Sequence, residues 1–256
     1  MPISVQQFIC LTDNFGVLVH DSSSGATACI DAPDAEPILA ATRERGWRLT
    51  EALLTHHHAD HVQGVSRLKE IFPEMRVWGP AKEASRIPFL DNLIAEGDFV
   101  QVGSLRAQVL ETPGHTIGHV AYHFEEDETA FVGDTLFSLG CGRAFEAPYS
   151  VLWNSLLKLA ALPGETQIYC GHEYTEANAR FAITIEAENP ILKARFEQIA
   201  SLRAKGLPTL PTTIAAELAT NPFLRAQEPV VQAAVGMLGA DPAAVFAEIR
   251  SRKDRF

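Results

Sequence analysis

The segment Thr55–His61, THHHADH in one-letter code, follows the apolar residues EALL and decides how the chain is interpreted. Alternate side chains share one side of an extended backbone, whereas residues two apart on a helix differ by about 200°. We therefore predict a strand that continues into an extended loop, with His56 and His58 on one side and His57 facing away. The helix expected to follow begins at Val62.

Three further strand-like segments also end in a side chain that can bind a metal. LRAQVLETPG precedes His115, TAFVG precedes Asp134 and QIYCG precedes His172. Ligands of open sheets bind beyond the carboxyl ends of strands, so a single site explains all of these residues. The predicted ligands are His56, His58, Asp60, His61, His115, Asp134 and His172.

Seven ligands are too many for one zinc ion, which usually takes four. Divided between two ions, with Asp134 shared, they leave room for water on both, as in two-metal hydrolytic sites. We therefore expect two divalent metal ions per chain. Nitrogen and oxygen ligands favour zinc, although iron or manganese would also accept them.

The pattern of segments changes near Tyr174. Strand-like and helix-like segments alternate before it, whereas amphipathic helices separated by Pro and Gly follow it. We predict an α/β catalytic domain over residues 1–173 and a smaller all-helical, substrate-binding domain over residues 174–256.

Composition excludes several classes of partner. A net charge of −11 argues against binding to nucleic acid or to an anionic membrane surface. The four cysteines form no CxxC pair, no apolar run is long enough to span a bilayer, and no signal peptide is recognisable. We expect a cytoplasmic protein, and the sequence is compatible with a monomer.

The motifs HHHADH, PGHTIGH, GDT and CGHE resemble those of the metallo-β-lactamase superfamily. The resemblance implies an αββα sandwich. It also implies two ligand groups, with Asp60 and Asp134 as the catalytic carboxylates and Asp134 shared by both ions. The first group is His56, His58 and His115, and the second is Asp60, His61 and His172.

The motifs GCGRAFE, GHEYT, NPFLR and RSRKD are similar to those of the hydroxyacylglutathione hydrolase (glyoxalase II) family. That resemblance implies hydrolysis of S-lactoylglutathione to glutathione and D-lactate, the second step of methylglyoxal detoxification. Some members have Tyr where this chain has Phe145, so one hydroxyl contact is missing here. The implied substrate-binding residues are Arg143, Phe145, Tyr174, Arg250 and Lys253.

Two alternatives remain open at this point. One is a mononuclear iron dioxygenase that acts on glutathione persulfide, and the other is a non-catalytic, metal-stabilised binding module. Ligand histidines generally need a hydrogen-bond partner, and Asp31 is a candidate for that role. His57 is expected to have a structural or solvent-facing role, and His119 is expected to orient a neighbouring group by a hydrogen bond and not to bind metal.

Overall fold

The structure is a computed structural model that describes residues 3–256. Its contacts define two compact units. Among the described residues, the first comprises 3–111 and Thr116–Gly133, and the second comprises Thr112–His115 and Asp134–Phe256. The predicted domain boundary at residues 173 and 174 lies inside the second unit. It stays a prediction, because a compact unit and a domain are defined by different properties.

The first unit contains a six-stranded mixed sheet in chain order. β1 pairs antiparallel with β2, and β2 pairs antiparallel with β3, whereas the pairs β3–β4, β4–β5 and β5–β6 are parallel. The N-terminal strand was not predicted from the sequence. The strands are β1 Ser4–Cys10, β2 Asn14–His20, β3 Thr27–Ile30, β4 Glu51–Leu53, β5 Arg76–Pro80 and β6 Asn92–Ile94.

Three helices accompany this sheet: α1 Ala35–Arg45, α2 Ala59–Val62 and α3 Val65–Ile71. The Asp34 side chain accepts a hydrogen bond from the N–H of Glu36, and Gly46 ends α1 in the left-handed region at φ 67°. The helix expected from Val62 begins at Ala59 instead, because the N–H of His61 donates to the carbonyl of His58 and closes the first turn.

Four antiparallel strands complete the sheets of the first unit, in the order β10–β9–β8–β7. The hydroxyl of Tyr122 donates to the carbonyl of Leu54 at 2.7 Å, and the N–H of Val120 donates to the carbonyl of Thr55 at 2.9 Å. These bonds fix β9 against the residues that follow β4. The strands are β7 Phe99–Val102, β8 Leu105–Glu111, β9 Val120–Phe124 and β10 Thr129–Phe131.

The second unit is mainly helical. Helix-like patterns in the sequence cover residues 175–188, 190–206, 228–238 and 241–253, where the structure has four helices, and two further helices were not predicted. A buried apolar cluster that includes Ala182, Leu192 and Ile199 packs α5 against α6. The elements are β11 Leu136–Phe137, β12 Gly140–Cys141, α4 Tyr149–Ala160, β13 Gln167–Tyr169, α5 Thr175–Ile185, α6 Pro190–Ala204, β14 Thr212–Thr213, α7 Ile214–Thr220, α8 Pro229–Ala234 and α9 Pro242–Asp254.

Within residues 3–256, none of the helices has the length and hydropathy required to cross a membrane.

Candidate metal centre

The segment after β4 has the predicted alternation of side chains. Nε2 of His56 lies 3.0 Å from Nδ1 of His58, so these two imidazoles face each other. The ring centroid of His61 lies 4.1 Å from that of His56, and Nε2 of His61 lies 3.8 Å from an oxygen of Asp60. One short segment therefore brings four donors of the first unit together.

Asp31 has the supporting contacts that the sequence suggested. Its Oδ2 accepts a hydrogen bond from Nδ1 of His61 at 2.7 Å and from the hydroxyl of Thr55 at 2.9 Å. Its Oδ1 accepts from the N–H of Thr55 at 2.7 Å. Because a carboxylate only accepts, Nδ1 of His61 carries the proton and Nε2 keeps the lone pair that a metal requires.

His57 faces away from its two neighbours, as expected. Its Nδ1 donates to Oε2 of Glu83 at 2.9 Å, and Oε1 of Glu83 accepts from the N–H of Gly118. Glu83 is fully buried. Its carboxylate thus ties the histidine segment to the loop before β9, a role that no local pattern in the sequence indicated.

Asn14 is a second residue that sequence reasoning missed. Its side-chain amide donates to the carbonyl of Asp60 at 3.0 Å and to Oδ2 of Asp60 at 3.1 Å. Asn14 begins β2 and is buried. These two bonds orient the Asp60 carboxylate from a residue 46 positions away in the chain.

The second unit brings its three predicted ligands together around one oxygen. Oδ2 of Asp134 lies 3.4 Å from Nε2 of His115 and 3.3 Å from Nε2 of His172. All three residues are buried. The preceding Gly114 has φ 142°, and a Cβ there would lie 2.7 Å from Leu152. Glycine is therefore required where this loop turns towards the ligands.

A backbone carbonyl orients His115. Its Nδ1 donates to the carbonyl oxygen of Arg143 at 3.0 Å, which leaves Nε2 as the metal-facing nitrogen. The backbone at Gly142 passes close to Asp134, and a Cβ at this position would lie 1.9 Å from the carbonyl oxygen of Asp134. A glycine is therefore needed just before Arg143.

Aromatic rings surround the ligands of the second unit. Tyr174 stacks on His172 with centroids 4.7 Å apart and an interplanar angle of 5°. Phe137 makes an edge contact with Tyr174 at 5.3 Å, and Phe145 lies 5.3 Å from His115. Phe145 and Tyr174 are both exposed, so two predicted substrate-binding rings are accessible beside the ligands.

The basic residues of the second unit differ in exposure. Arg250 is only 4% exposed, and its guanidinium donates to the carbonyl of Cys141 and to Asp254, each at 2.9 Å. The Arg143 side chain is largely exposed, 4.0 Å from Asp254. Lys253 donates to the carbonyl of Ala177 at 3.1 Å. The structure thus assigns internal partners to Arg250, and its contact with substrate stays a prediction.

The Lys253 ammonium group is unusually acidic. Partial burial, followed by repulsion from Arg250 and Arg143, lowers its pKa to about 8. An anion bound beside Lys253 would favour the charged ammonium and raise its pKa again.

The donor chemistry fits a divalent metal with nitrogen and oxygen ligands. Burial raises the pKa of the Cys141 thiol to about 11 and that of Cys10 to about 12, and it also raises the pKa values of Cys29 and Cys170. These thiols are protonated near neutral pH without metal, and among the described residues the clusters of side chains that could hold a metal ion contain no cysteine. Imidazoles and carboxylates remain as donors in both units, a set typical of hydrolytic metal centres.

Comparison with known proteins identifies the relatives of the chain. Residues 16–172 match the model of the metallo-beta-lactamase superfamily, and residues 173–256 match that of the hydroxyacylglutathione hydrolase C-terminus. The chain is 54% identical over 255 residues to a hydroxyacylglutathione hydrolase of Rhodopseudomonas palustris, with 100% of each chain covered. The chain belongs to the hydroxyacylglutathione hydrolase family.

Membership of the hydroxyacylglutathione hydrolase family confirms the predicted fold class, a metallo-β-lactamase fold followed by a helical C-terminal region. It also confirms the prediction of a thioester hydrolase of this family. Divalent metal binding through clusters of His and Asp is implied by the same superfamily match.

Solved structures give more distant likenesses for this member of the hydroxyacylglutathione hydrolase family. The crystal structure of ETHE1 from Myxococcus xanthus superposes with a TM-score of 0.67 at 26% identity, covering 98% of both chains. TTHA1623 in a di-iron-bound form gives a TM-score of 0.62 at 27% identity, covering 86% of this chain and 98% of the other.

Proposed function

We propose that this chain is a dinuclear-metal hydrolase that cleaves S-(2-hydroxyacyl)glutathione to glutathione and a 2-hydroxy acid. The observation that carries the proposal is full-length identity of 54% to a protein named hydroxyacylglutathione hydrolase. S-lactoylglutathione, which gives D-lactate, is the proposed substrate. This reaction is the second step of methylglyoxal detoxification, and we place it in the cytoplasm.

Two metal ions are the proposed cofactor, with zinc favoured by the nitrogen and oxygen donors. The di-iron form of TTHA1623 supports a count of two and keeps iron as an alternative. Bound divalent ions lower the pKa of water and polarise a carbonyl group. The proposed ligands of one ion are His56, His58 and His115, those of the other are Asp60, His61 and His172, and Asp134 is shared.

The residues of each unit have distinct roles in this proposal. Asp31 and the carbonyl of Arg143 hold Nδ1 protons on His61 and His115, which fixes the tautomers. The carboxylates of Asp60 and Asp134 accept hydrogen bonds from the attacking water and orient it. As the C–O bond forms and the C–S bond breaks, one proton of the water is released to solvent and sulfur leaves as a thiolate, because a thiol has a pKa of roughly 8.5.

The helical segment over residues 174–256 is the proposed substrate-binding domain. Glutathione carries two carboxylates remote from the thioester, and Lys253, Arg143 and Arg250 are proposed to attract them. Tyr174 and Phe145 offer exposed rings to the tripeptide. Phe145 has no hydroxyl to donate, so it contributes apolar contact only.

An assay with two matched thioesters tests this function. Protein of measured metal content is given S-lactoylglutathione and, separately, a lactoyl thioester of a small thiol that lacks the tripeptide. We expect hydrolysis of both, with a kcat/KM for the glutathione thioester higher by at least about a hundred-fold, since two charge-assisted contacts contribute roughly 3 kcal/mol. Equal kcat/KM values would contradict glutathione recognition. Oxygen uptake with glutathione persulfide, without hydrolysis, would replace the proposal with the dioxygenase alternative.

A further inference from the structure

A short hairpin in the second unit has a conformation that its own sequence does not explain. It consists of β11 and β12, joined by Ser138 and Leu139, and we call it the 136–141 hairpin. Leu139 has φ 57°, in the left-handed region that branched apolar residues rarely occupy. Such backbone persists only where surrounding contacts hold it.

Glu217, on α7, supplies the central contact to this turn. The residue is fully buried, and its Oε2 accepts hydrogen bonds from the N–H of Leu139 at 2.8 Å and from the Asn221 amide at 2.9 Å. Its Oε1 accepts from the hydroxyl of Thr212 at 2.7 Å and from the Arg195 guanidinium. One carboxylate thus joins the strained turn to three other side chains.

Other side chains from the helical part of the chain bind the remaining polar groups of the hairpin. The Arg195 guanidinium donates to the hydroxyl of Ser138 at 2.9 Å, and the Asn178 amide donates to its carbonyl at 3.1 Å. The Asn221 amide donates to the carbonyl of Gly140 at 3.0 Å. The hairpin is therefore held from outside by residues of α5, α6 and α7 and the turn after α7.

The residues that follow the hairpin contact one proposed metal ligand and the chain neighbour of another. The N–H of Gly142 donates to the carbonyl of Thr135, next to Asp134, and the carbonyl of Arg143 accepts from His115. A displacement of the hairpin would move that carbonyl, and His115 would lose the partner that fixes its tautomer.

We propose that Glu217 is a positioning residue that, through the 136–141 hairpin, fixes the orientation of His115. The activity part of this inference rests on the proposed hydrolase function, whereas the metal-binding part does not. Glu217 touches neither substrate nor metal in this account. It acts through Leu139 and the backbone that continues to Arg143.

The chain offers a matched control for this role. Glu186 is also buried, and its carboxylate accepts two hydrogen bonds from Arg225, at 2.8 and 3.0 Å. Among the described residues, its side-chain bonds lie outside the hairpin. Glu186→Gln therefore weakens a buried Arg–Glu pair of the same kind without changing the support of Leu139.

The test compares Glu217→Gln with Glu186→Gln, at a temperature where thermal unfolding shows both to be folded. Zinc affinity is measured by competition with a chromogenic chelator, and kcat and KM are measured with S-lactoylglutathione. We expect Glu217→Gln to lower zinc affinity and kcat/KM by about 10- to 100-fold, the usual effect of removing an outer partner of a metal ligand. Glu186→Gln should change each by less than about two-fold, because its partners do not contact a ligand.

A milder variant covers the case in which Glu217→Gln does not fold. Asn178→Ala removes only the donor to the Ser138 carbonyl, and we expect about a five-fold loss of zinc affinity, equivalent to one ordinary hydrogen bond. Equal effects of Glu217→Gln and Glu186→Gln at equal unfolding midpoints would overturn the proposal. If the unaltered chain shows no hydrolysis, the proposed function fails, and the zinc comparison still decides the role of Glu217.

Discussion

The two units supply metal donors in opposite ways. The first unit offers His56, His58, Asp60 and His61 from one continuous segment after β4. In the second unit, His115, Asp134 and His172 come from three separate segments and meet around Oδ2 of Asp134. A contiguous set is arranged largely by its own backbone, whereas a dispersed set depends on every loop that carries a member.

This difference decides what supports each set. In the first unit the main support is one buried carboxylate, Asp31, which binds both Thr55 and His61. In the second unit the support for His115 is the backbone carbonyl of Arg143. The 136–141 hairpin, which precedes Arg143 in the chain, is held by several distant side chains. We therefore expect metal affinity in the first unit to depend mainly on Asp31. In the second unit, we expect it to depend on several distant residues that hold the hairpin.

Asp134→Ala should have the largest effect, because it removes the oxygen around which both histidines of the second unit converge. We expect kcat/KM for S-lactoylglutathione to fall by at least about a thousand-fold, on the scale of several kcal/mol for metal-assisted steps. Elemental analysis of the purified variant should also find less metal. A variant with full metal content and a loss below ten-fold would show that Asp134 is not the shared ligand.

Asp31→Ala tests the support of the contiguous set. Removing its oxygens leaves Nδ1 of His61 without the acceptor that fixes the tautomer, so zinc affinity should fall by about 10- to 100-fold. Chelator competition measures this loss. Asp31→Asn is the informative companion, because its amide keeps one acceptor oxygen and should show a smaller decrease. Unchanged affinity in both variants would remove Asp31 from the account.

The pH dependence of KM separates substrate recognition from metal binding. Lys253 carries a charge below its lowered pKa of about 8 and loses it above, so attraction for glutathione carboxylates should weaken above that pH. We expect KM for S-lactoylglutathione to rise by about ten-fold between pH 7 and pH 9.5, as one charge-assisted hydrogen bond is lost. Lys253→Arg should show a flatter profile, because guanidinium stays charged. The same rise in Lys253→Arg would assign the titration to another group.

His57→Ala changes a histidine of the same segment that is not a proposed metal ligand, and we expect it to have the smallest effect. Its imidazole is bonded to Glu83 and faces away from His56 and His58, so metal content should stay within about two-fold of the unaltered chain. Elemental analysis beside Asp31→Ala provides the comparison. A loss of metal as large as that of Asp31→Ala would contradict the extended-backbone reading of the segment.

The sequence predicted what short-range patterns encode. Alternation in extended backbone placed His56 and His58 together, and the strand-end rule identified the three residues that meet in the second unit. These features depend on residues that are neighbours in the chain.

Contacts between distant segments leave no local pattern in the sequence. Glu217 binds Leu139 across 78 positions, and Glu83 binds His57 across 26, with no spacing that links them. Arg250 shows the same limit. The family resemblance implies that Arg250 contacts substrate, and the fold gives its guanidinium the Cys141 carbonyl and Asp254 as further partners.

A zinc titration of metal-free protein tests the central claim, that this chain is a two-metal hydrolase of glutathione thioesters, most directly. Initial rates with S-lactoylglutathione are recorded as zinc is added, with bound zinc measured in the same samples. We expect activity to rise and to level off at about two zinc ions per chain. Full activity at one ion, or no hydrolysis at any loading, would contradict it.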